Sequence, residues 1–287
     1  MGYSLNKLYH AIGITKQAVS QYQRRHNTMD HRLLGLIDAA MALRKAHPGC
    51  GVEKMYTLLK PSFIGRDRFI ELMMTAGFRL KRPPNYRRTT YAGRVNYSNK
   101  IKGMTVRSPS VIWQSDITYL PVGDRVYYAV FIIDVYSKKI VGYTLSKTMH
   151  ATANIQAFQQ ALKEHRAPVI HHSDRGGQYG SLGYTKLLKS HGVQISMATT
   201  AQDNAYAERI NRTIKEEYLA YWNPKTFEQL AKCLKRAVAN YNELRPHNHL
   251  DKRSPVTFEK EWNKKITPTK ALTIFDENNI KKPVNRI

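Results

Sequence analysis

Apolar positions recur along this chain with two periods, and the change from one to the other divides it. From residue 1 to about 30, Leu5, Leu8 and Ile12 recur at helical spacing, Gly13 interrupts, and Thr15 is placed to cap a second helix carrying Val19 and Tyr22. Two short helices around a glycine, the second ending at Arg24 and Arg25, predict a helix-turn-helix over 1–30. Its second helix would turn Gln17, Ser20 and Arg24 towards a DNA groove. Residues 31–84 keep the helical period in "LLGLIDAAMALRKAHPGCGVEKMYTLLK" and "GRDRFIELMMTAGFRL". There His47-Pro48-Gly49 ends one helix, Asp67 is placed to cap another and Gly77 to stop it, which predicts a second small helical domain.

Periodicity then lapses. A basic linker is expected over 85–107, where "KRPPNYRRTTYAGRVNYSNKIKG" interleaves cations with tyrosines in a pattern suited to lying along nucleic acid. Beyond it the pattern becomes that of strands. "SVIWQSDITYL", "RVYYAVFIIDVYS" and "KIVGYTLS" follow one another closely, the last two joined by a turn at Ser137-Lys138-Lys139. A helical pattern covers 152–165, a short strand lies in "PVIHHSD", a helix spans about 182–190 and "VQISM" forms a fifth strand. One helix is expected over about 204–221. Another starts at Thr226, with Gln229 three residues on as in a capping box. Three strands, a helix, then alternating strands and helices describe a mixed five-stranded α/β sheet over 108–262, followed by a basic C-terminal tail over 263–287.

Charge narrows the partners. Lys and Arg number 46 against 21 Asp and Glu, a formal net charge of +25 over 287 residues. A chain so basic works beside a polyanion, and nucleic acid is the commonest. The best apolar run, "YYAVFII", is far short of the roughly 20 residues of a membrane span, and no secretory signal is visible at the N-terminus. The two cysteines, Cys50 and Cys233, have no Cys-x-x-Cys spacing, read as two buried thiols and suit a reducing compartment. No histidine pairs with them at zinc-finger spacing.

Within the α/β zone acidic residues stand in unusual places. Asp116 lies inside a strand run, where aspartate is disfavoured. Asp174, in "HHSDRGGQY", follows a strand at its C-terminal end, with Arg175 beside it and Gly176 and Gly177 next. Glu208 falls near the start of a helix with the apolar stripe Ile210, Ile214 and Tyr218, on an open face expected to include Arg212 and Lys215. Three converging carboxylates repel one another and a polyanion, and two Mg²⁺ ions would remove both objections. Placement alone leaves Asp134 as an alternative to Asp116, and Asp203, Glu216 and Glu217 as alternatives to Glu208.

The blocks "WQSDITYL", "FIIDVYSKKIVGY", "HHSDRGGQY", "DNAYAERINRTIKEEY" and "YNELRPHNHLDKRSPVTFE", in that order, resemble the catalytic domain of bacterial insertion-sequence transposases of the IS-three family, relatives of retroviral integrases. The likeness extends over roughly residues 35–260, the helical segment before the core included. It implies a ribonuclease H-like fold and a DDE metal triad, carried over to Asp116 in W-x-x-D-x-T-Y, Asp174 in H-S-D-R-G and Glu208 in D-N-A-x-x-E, with Asp134 left structural. Lys215 matches a family lysine at the DNA near the metal site. The family's zinc-binding viral relatives have a His/Cys domain that is not visible here.

The resemblance thus implies a DNA transposase using two Mg²⁺ ions, with Mn²⁺ able to substitute, to nick transposon ends and join the freed 3′-OH to target DNA. It implies work as a homodimer or higher oligomer on DNA in a bacterial cytoplasm, close to the nucleoid. Family members are often fusions whose upstream reading frame supplies a helix-turn-helix and a zipper, and only about 30 residues, with no heptad repeat, precede the matched part here. Either residues 1–30 do that work or an upstream-frame partner supplies it. Two rival readings are a non-catalytic DNA-binding regulator and a metal-dependent nuclease without strand transfer.

Overall fold

The computed structural model describes residues 4–80, 95–265 and 270–274; the expected linker over 85–94 and the tail over 266–269 and 275–287 lie outside them. The chain divides into two compact units, Met1–Ala46 with Cys50–Leu80, and His47–Gly49 with Lys81–Ile287.

In the first unit, α1 (Leu5–Ala11) leads through a turn at Gly13 into α2 (Lys16–Ala46). The Oγ1 of Thr15 accepts the Ala18 N–H at 3.1 Å and starts α2 as the sequence predicts. The helix does not end at Arg24 and Arg25. It runs for 31 residues, straight through the boundary expected at residue 30. The physical reason is an absence of stops: from Lys16 to Leu34 there is neither proline nor glycine, and the first firm stop is His47-Pro48-Gly49. The two predicted helical domains therefore share one helix, while the buried core of this unit lies wholly in the second of them. The C-terminal half of α2 packs Leu36 and Ala40 with Met55 of α3 (Val52–Leu59), Phe69 and Met73 of α4 (Arg66–Thr75) and Phe78. Arg44 pins its end, donating to the Phe78 carbonyl at 2.9 Å with its guanidinium over the Phe78 ring. The cap position of α4 is Gly65; Asp67, expected there, lies inside the first turn, where the helix dipole favours a carboxylate.

In the second unit, β2 (Ile112–Val122) and β3 (Arg125–Asp134) form an antiparallel hairpin across Gly123-Asp124. β4 (Ile140–Ser146) adds antiparallel to β3. On the other side β5 (Ile170–Ser173) and β6 (Gln194–Met197) add in parallel, giving the order β4-β3-β2-β5-β6. Alternation decides the two cores. Trp113, Val130 and Ile132 face α5 (Ala151–Glu164) and α6 (Leu182–Ser190), the helices that carry the chain from β4 to β5 and from β5 to β6. Leu120, Ala129, Phe131 and Ile133 face α7 (Ala205–Ile214) and α9 (Phe227–Glu243). At Gly142 a Cβ would meet the Ala157 carbonyl at 2.3 Å, so only glycine lets α5 lie this close to β4.

The helix expected over 204–221 has four segments: a 3₁₀ turn (Ala201–Asn204), α7, a π-helical turn (Lys215–Leu219) and α8 (Ala220–Trp222). At Thr226 the predicted cap forms, with Oγ1 accepting the Gln229 N–H at 3.2 Å, but Gln229 reaches back to the Lys225 N–H instead of to Thr226. One helix escaped prediction, α10 (Pro255–Asn263), although Ser254 at its cap and Pro255 at its first position are start signals. β1 (Thr105–Val106), within the expected linker, pairs antiparallel with β7 (Leu272–Thr273), within the expected tail. Ile274 is fully buried with Ile101, Val106 and Ile112, and Lys270 bonds Asp251 at 2.7 Å. The described part of the tail is thus packed, because its apolar triplet completes a core that β1 leaves open.

Candidate active site

The parallel ladder between β2 and β5 ends at the pair Ser115 and Ser173. The next residue on each strand is an aspartate, so Asp116 and Asp174 come side by side. On β2, Asp116 shares its face with Gln114 and Leu120, the face that α7 covers. α7 lies across that face and carries Glu208 in its first turn. The three carboxylates feel one another. Removal from water, then the charge of Asp174 and, less strongly, of Glu208, push Asp116 up to about 8, against the pull of its bonds to the Ile117 N–H and Asn211. Those bonds are 2.9 Å to the Ile117 N–H and 2.7 Å to the Asn211 amide. Asp174 accepts the Gly176 N–H at 3.0 Å.

The alternatives that placement left open have other partners. Asp134 is buried and gathers the N–H groups of Ser110, Tyr136 and Ser137, which closes the end of β3; burial raises its pKa. Asp203 caps the 3₁₀ turn by accepting from Thr199 and Thr200. Glu217 forms a bidentate pair with Arg245, both bonds 2.7 Å, and Glu216 lies 4.0 Å from Arg212.

Surrounding groups set the polarity. Tyr179, buried with its hydroxyl 2.8 Å from Ser115, lies close enough to Asp116 and Asp174 for burial and then their charges to raise its pKa. His171 and His172 are the buried central residues of β5, and burial lowers them to about 3 and about 4. They are neutral at pH 7 and add no charge beneath Asp174. Gly176 leaves room for the carboxylate: a Cβ there would come within 3.0 Å of the Asp174 Oδ1.

The predicted cations separate. Arg212, exposed, lines with Glu208, Arg209, Glu216, Glu217 and Arg245 a cleft of about 400 Å³ along α7. Lys215 does not share that cleft. It is half-buried beside Asp116, burial lowering its pKa while Asp116 raises it, and it lines a second groove of about 210 Å³ with Leu120 and Leu219. Arg175 is half-buried next to Asp174, and its Nε has no hydrogen-bond partner among the described residues. Gln17, Ser20 and Arg24 lie on α2 in the other unit, Gln17 and Arg24 exposed and Ser20 half-buried. The sequence reading missed Gln114, Asn204 and Asn211, all buried. Asn211 had a signal, since it stands three residues after Glu208 and therefore shares its side of the helix.

Among the described residues no three carboxylate, histidine or cysteine side chains stand ready as a metal cage. The donor set nevertheless suits a hard divalent cation: oxygen ligands only, with one carboxylate whose proton affinity is raised by burial and then by its like-charged neighbours.

The sheet order, with helices on both faces, is the ribonuclease H-like fold of integrase cores, a class of enzymes that cut and join DNA. The family model described as Integrase core domain matches residues 106–202, and a second of the same description matches 191–255. Over 205 residues the chain is 34% identical to the transposase for insertion sequence element IS904 of Lactococcus lactis, covering 69% of this chain and 79% of that one. It is 35% identical over 157 residues to the transposase for insertion sequence element IS629 of Shigella sonnei, covering 54% and 53%. A simian T-cell lymphotropic virus intasome structure shares the fold, with a TM-score of 0.50, 17% identity and coverage of 80% and 76%. The chain belongs to the insertion-sequence transposases with an integrase core domain, among relatives of the IS-three family.

Proposed function

We propose that this chain nicks DNA at the ends of an insertion sequence and joins each freed 3′-OH to a target phosphodiester, with no covalent protein–DNA intermediate. Asp116, Asp174 and Glu208 would hold two divalent cations, Mg²⁺ by preference and Mn²⁺ as a substitute. Bound there, such a pair stabilises the attacking and leaving oxygens of an in-line displacement. The chain's own residues do the rest. Asn211 holds Asp116 in one orientation, and Tyr179 and Ser115 keep the floor between the two aspartates filled. Lys215 and Arg175 flank the carboxylates and Arg212 lines the cleft beyond Glu208, so that DNA phosphates are met on both sides. Gln17, Ser20 and Arg24 would contact DNA elsewhere, on α2. Two ends must be handled together, which calls for a homodimer or a larger assembly, with or without an upstream-frame partner, working in the cytoplasm on nucleoid DNA.

The observation that carries this reading is the coupling of three carboxylates from three elements at the C-terminal end of a parallel strand pair. The test incubates purified protein and Mg²⁺ with a labelled precut end and, separately, with a labelled intact end, with Asp174→Ala in parallel. Joining by the wild type alone supports the reading. Cleavage of an intact end without joining would make the chain a nuclease, and binding without either reaction would make it a DNA-binding regulator.

A further inference from the structure

Two residues before Asp116 on the same face of β2, Gln114 is fully buried. Its side-chain amide makes three bonds, all to the chain around the start of α7. Oε1 accepts the N–H of Tyr206 at 3.2 Å and of Ala207 at 3.4 Å, and Nε2 donates to the Asp203 carbonyl at 3.2 Å. The first-turn N–H groups of a helix have no partners within it and are usually met by a cap side chain. α7 has no such cap: Asn204, at the cap position, makes no side-chain bond to it. Asn204 instead donates across to the Ser115 carbonyl of β2 at 3.0 Å. The helix that bears Glu208 is thus capped from the strand that bears Asp116.

We propose that Gln114 is a positioning residue which sets Glu208 against Asp116, an inference that rests on the assignment of those two carboxylates above. The chemistry explains the residue type. A carboxamide presents an acceptor and a donor at one planar end whatever the pH, and asparagine is one methylene too short to reach from β2. An ionised glutamate accepts but cannot donate to the Asp203 carbonyl. An apolar side chain leaves buried N–H groups without a partner. A drift of about 1 Å in the first turn of α7 moves Glu208 while leaving the sheet and the other two carboxylates in place. Such misplacement costs about 100-fold in rate.

The experiment uses the full chain with Gln114→Met, Gln114→Glu, Gln114→Asn, Asp116→Ala and Glu208→Gln. Strand transfer of a precut end is measured at saturating DNA and scaled to folded protein, with DNA affinity at fixed salt and the shift in unfolding temperature on adding Mn²⁺ without DNA. Gln114→Met is expected to bind DNA within about twofold of wild type, to join ends about 100-fold more slowly, and to lose part of the Mn²⁺-induced shift. Gln114→Glu keeps an acceptor for the two N–H groups and is expected to lose less of the rate than Gln114→Met. Gln114→Asn, whose amide is one methylene short of α7, is expected to join ends as slowly as Gln114→Met and carries the test should that variant not fold. A wild-type rate per folded Gln114→Met or Gln114→Asn molecule would overturn the proposal. Activity surviving in Asp116→Ala or Glu208→Gln would instead overturn the carboxylate assignment beneath it.

Discussion

Asp116 is held as an acid in a place where ordinary aspartates are ionised. Its folded-state value of about 8 lies above the ordinary 3.8 of an aspartate, so the folded chain binds this proton more tightly than the unfolded one. Stability from that proton is fully present below about pH 4 and is lost as pH rises towards 8. Without divalent ions, Asp116→Asn is therefore expected to unfold at a higher temperature than wild type, by an amount that grows from pH 5 to pH 8. The gain at pH 8 should be on the order of 1–3 kcal/mol, a few degrees in Tm. Parallel melting curves across that range would show that the neighbouring carboxylates do not strain Asp116. At this scale Asp116 stood out in the sequence because aspartate inside a strand contradicts propensity. Choosing among the acids from spacing was not possible, since the partners of Asp134, Asp203 and Glu217 are backbone N–H groups or an arginine distant in sequence. Gln114 was illegible for the same reason: its bonds run to residues about 90 positions away.

At the scale of elements, the strands and the helices between them follow from period alone; α5 and α6 begin and end within a residue or so of expectation, and α9 begins where its cap was expected. What failed were features fixed by distant partners or by missing punctuation. Two-residue β1 and β7 carry no periodic signal and exist because they pair. Their importance is measurable through Ile274, which is buried without exposure among Ile101, Val106 and Phe258. Ile274→Ala should cost about 2–4 kcal/mol in urea unfolding of the full chain. A loss under about 0.5 kcal/mol, the range of an ordinary surface change, would mean that residues 270–274 do not hold the core. Cys233 follows the same rule, half-buried rather than buried, because its helix face is only partly covered.

For the whole molecule, net charge of +25 is the property that no single element contains. If six or more phosphates are neutralised on binding, affinity for DNA should fall about 10³-fold or more between 50 and 200 mM salt. Titration by anisotropy would read this directly, and a flat response would remove the basic surface as a DNA track. No described helix is long and apolar enough to cross a membrane, as the sequence pattern anticipated. The division into units was legible only in part, since the change of period marks where the sheet begins while nothing marks a break at residue 30.

That unbroken α2 is also a gauge. Thirty-one residues of helix span about 46 Å, and the stretch from Ser20 to Ala40 about 30 Å. On the reading that Gln17, Ser20 and Arg24 face DNA, they meet it nearly nine base pairs, at about 3.4 Å each, from the level of the α3–α4 core. Seven residues of uninterrupted helix inserted after His26 would keep the rotational phase nearly unchanged and lengthen the rod by about 10 Å. The protected DNA footprint should then widen by about three base pairs, whereas a five-residue insertion, which turns the outer face away by more than a third of a revolution, should erase its outer part.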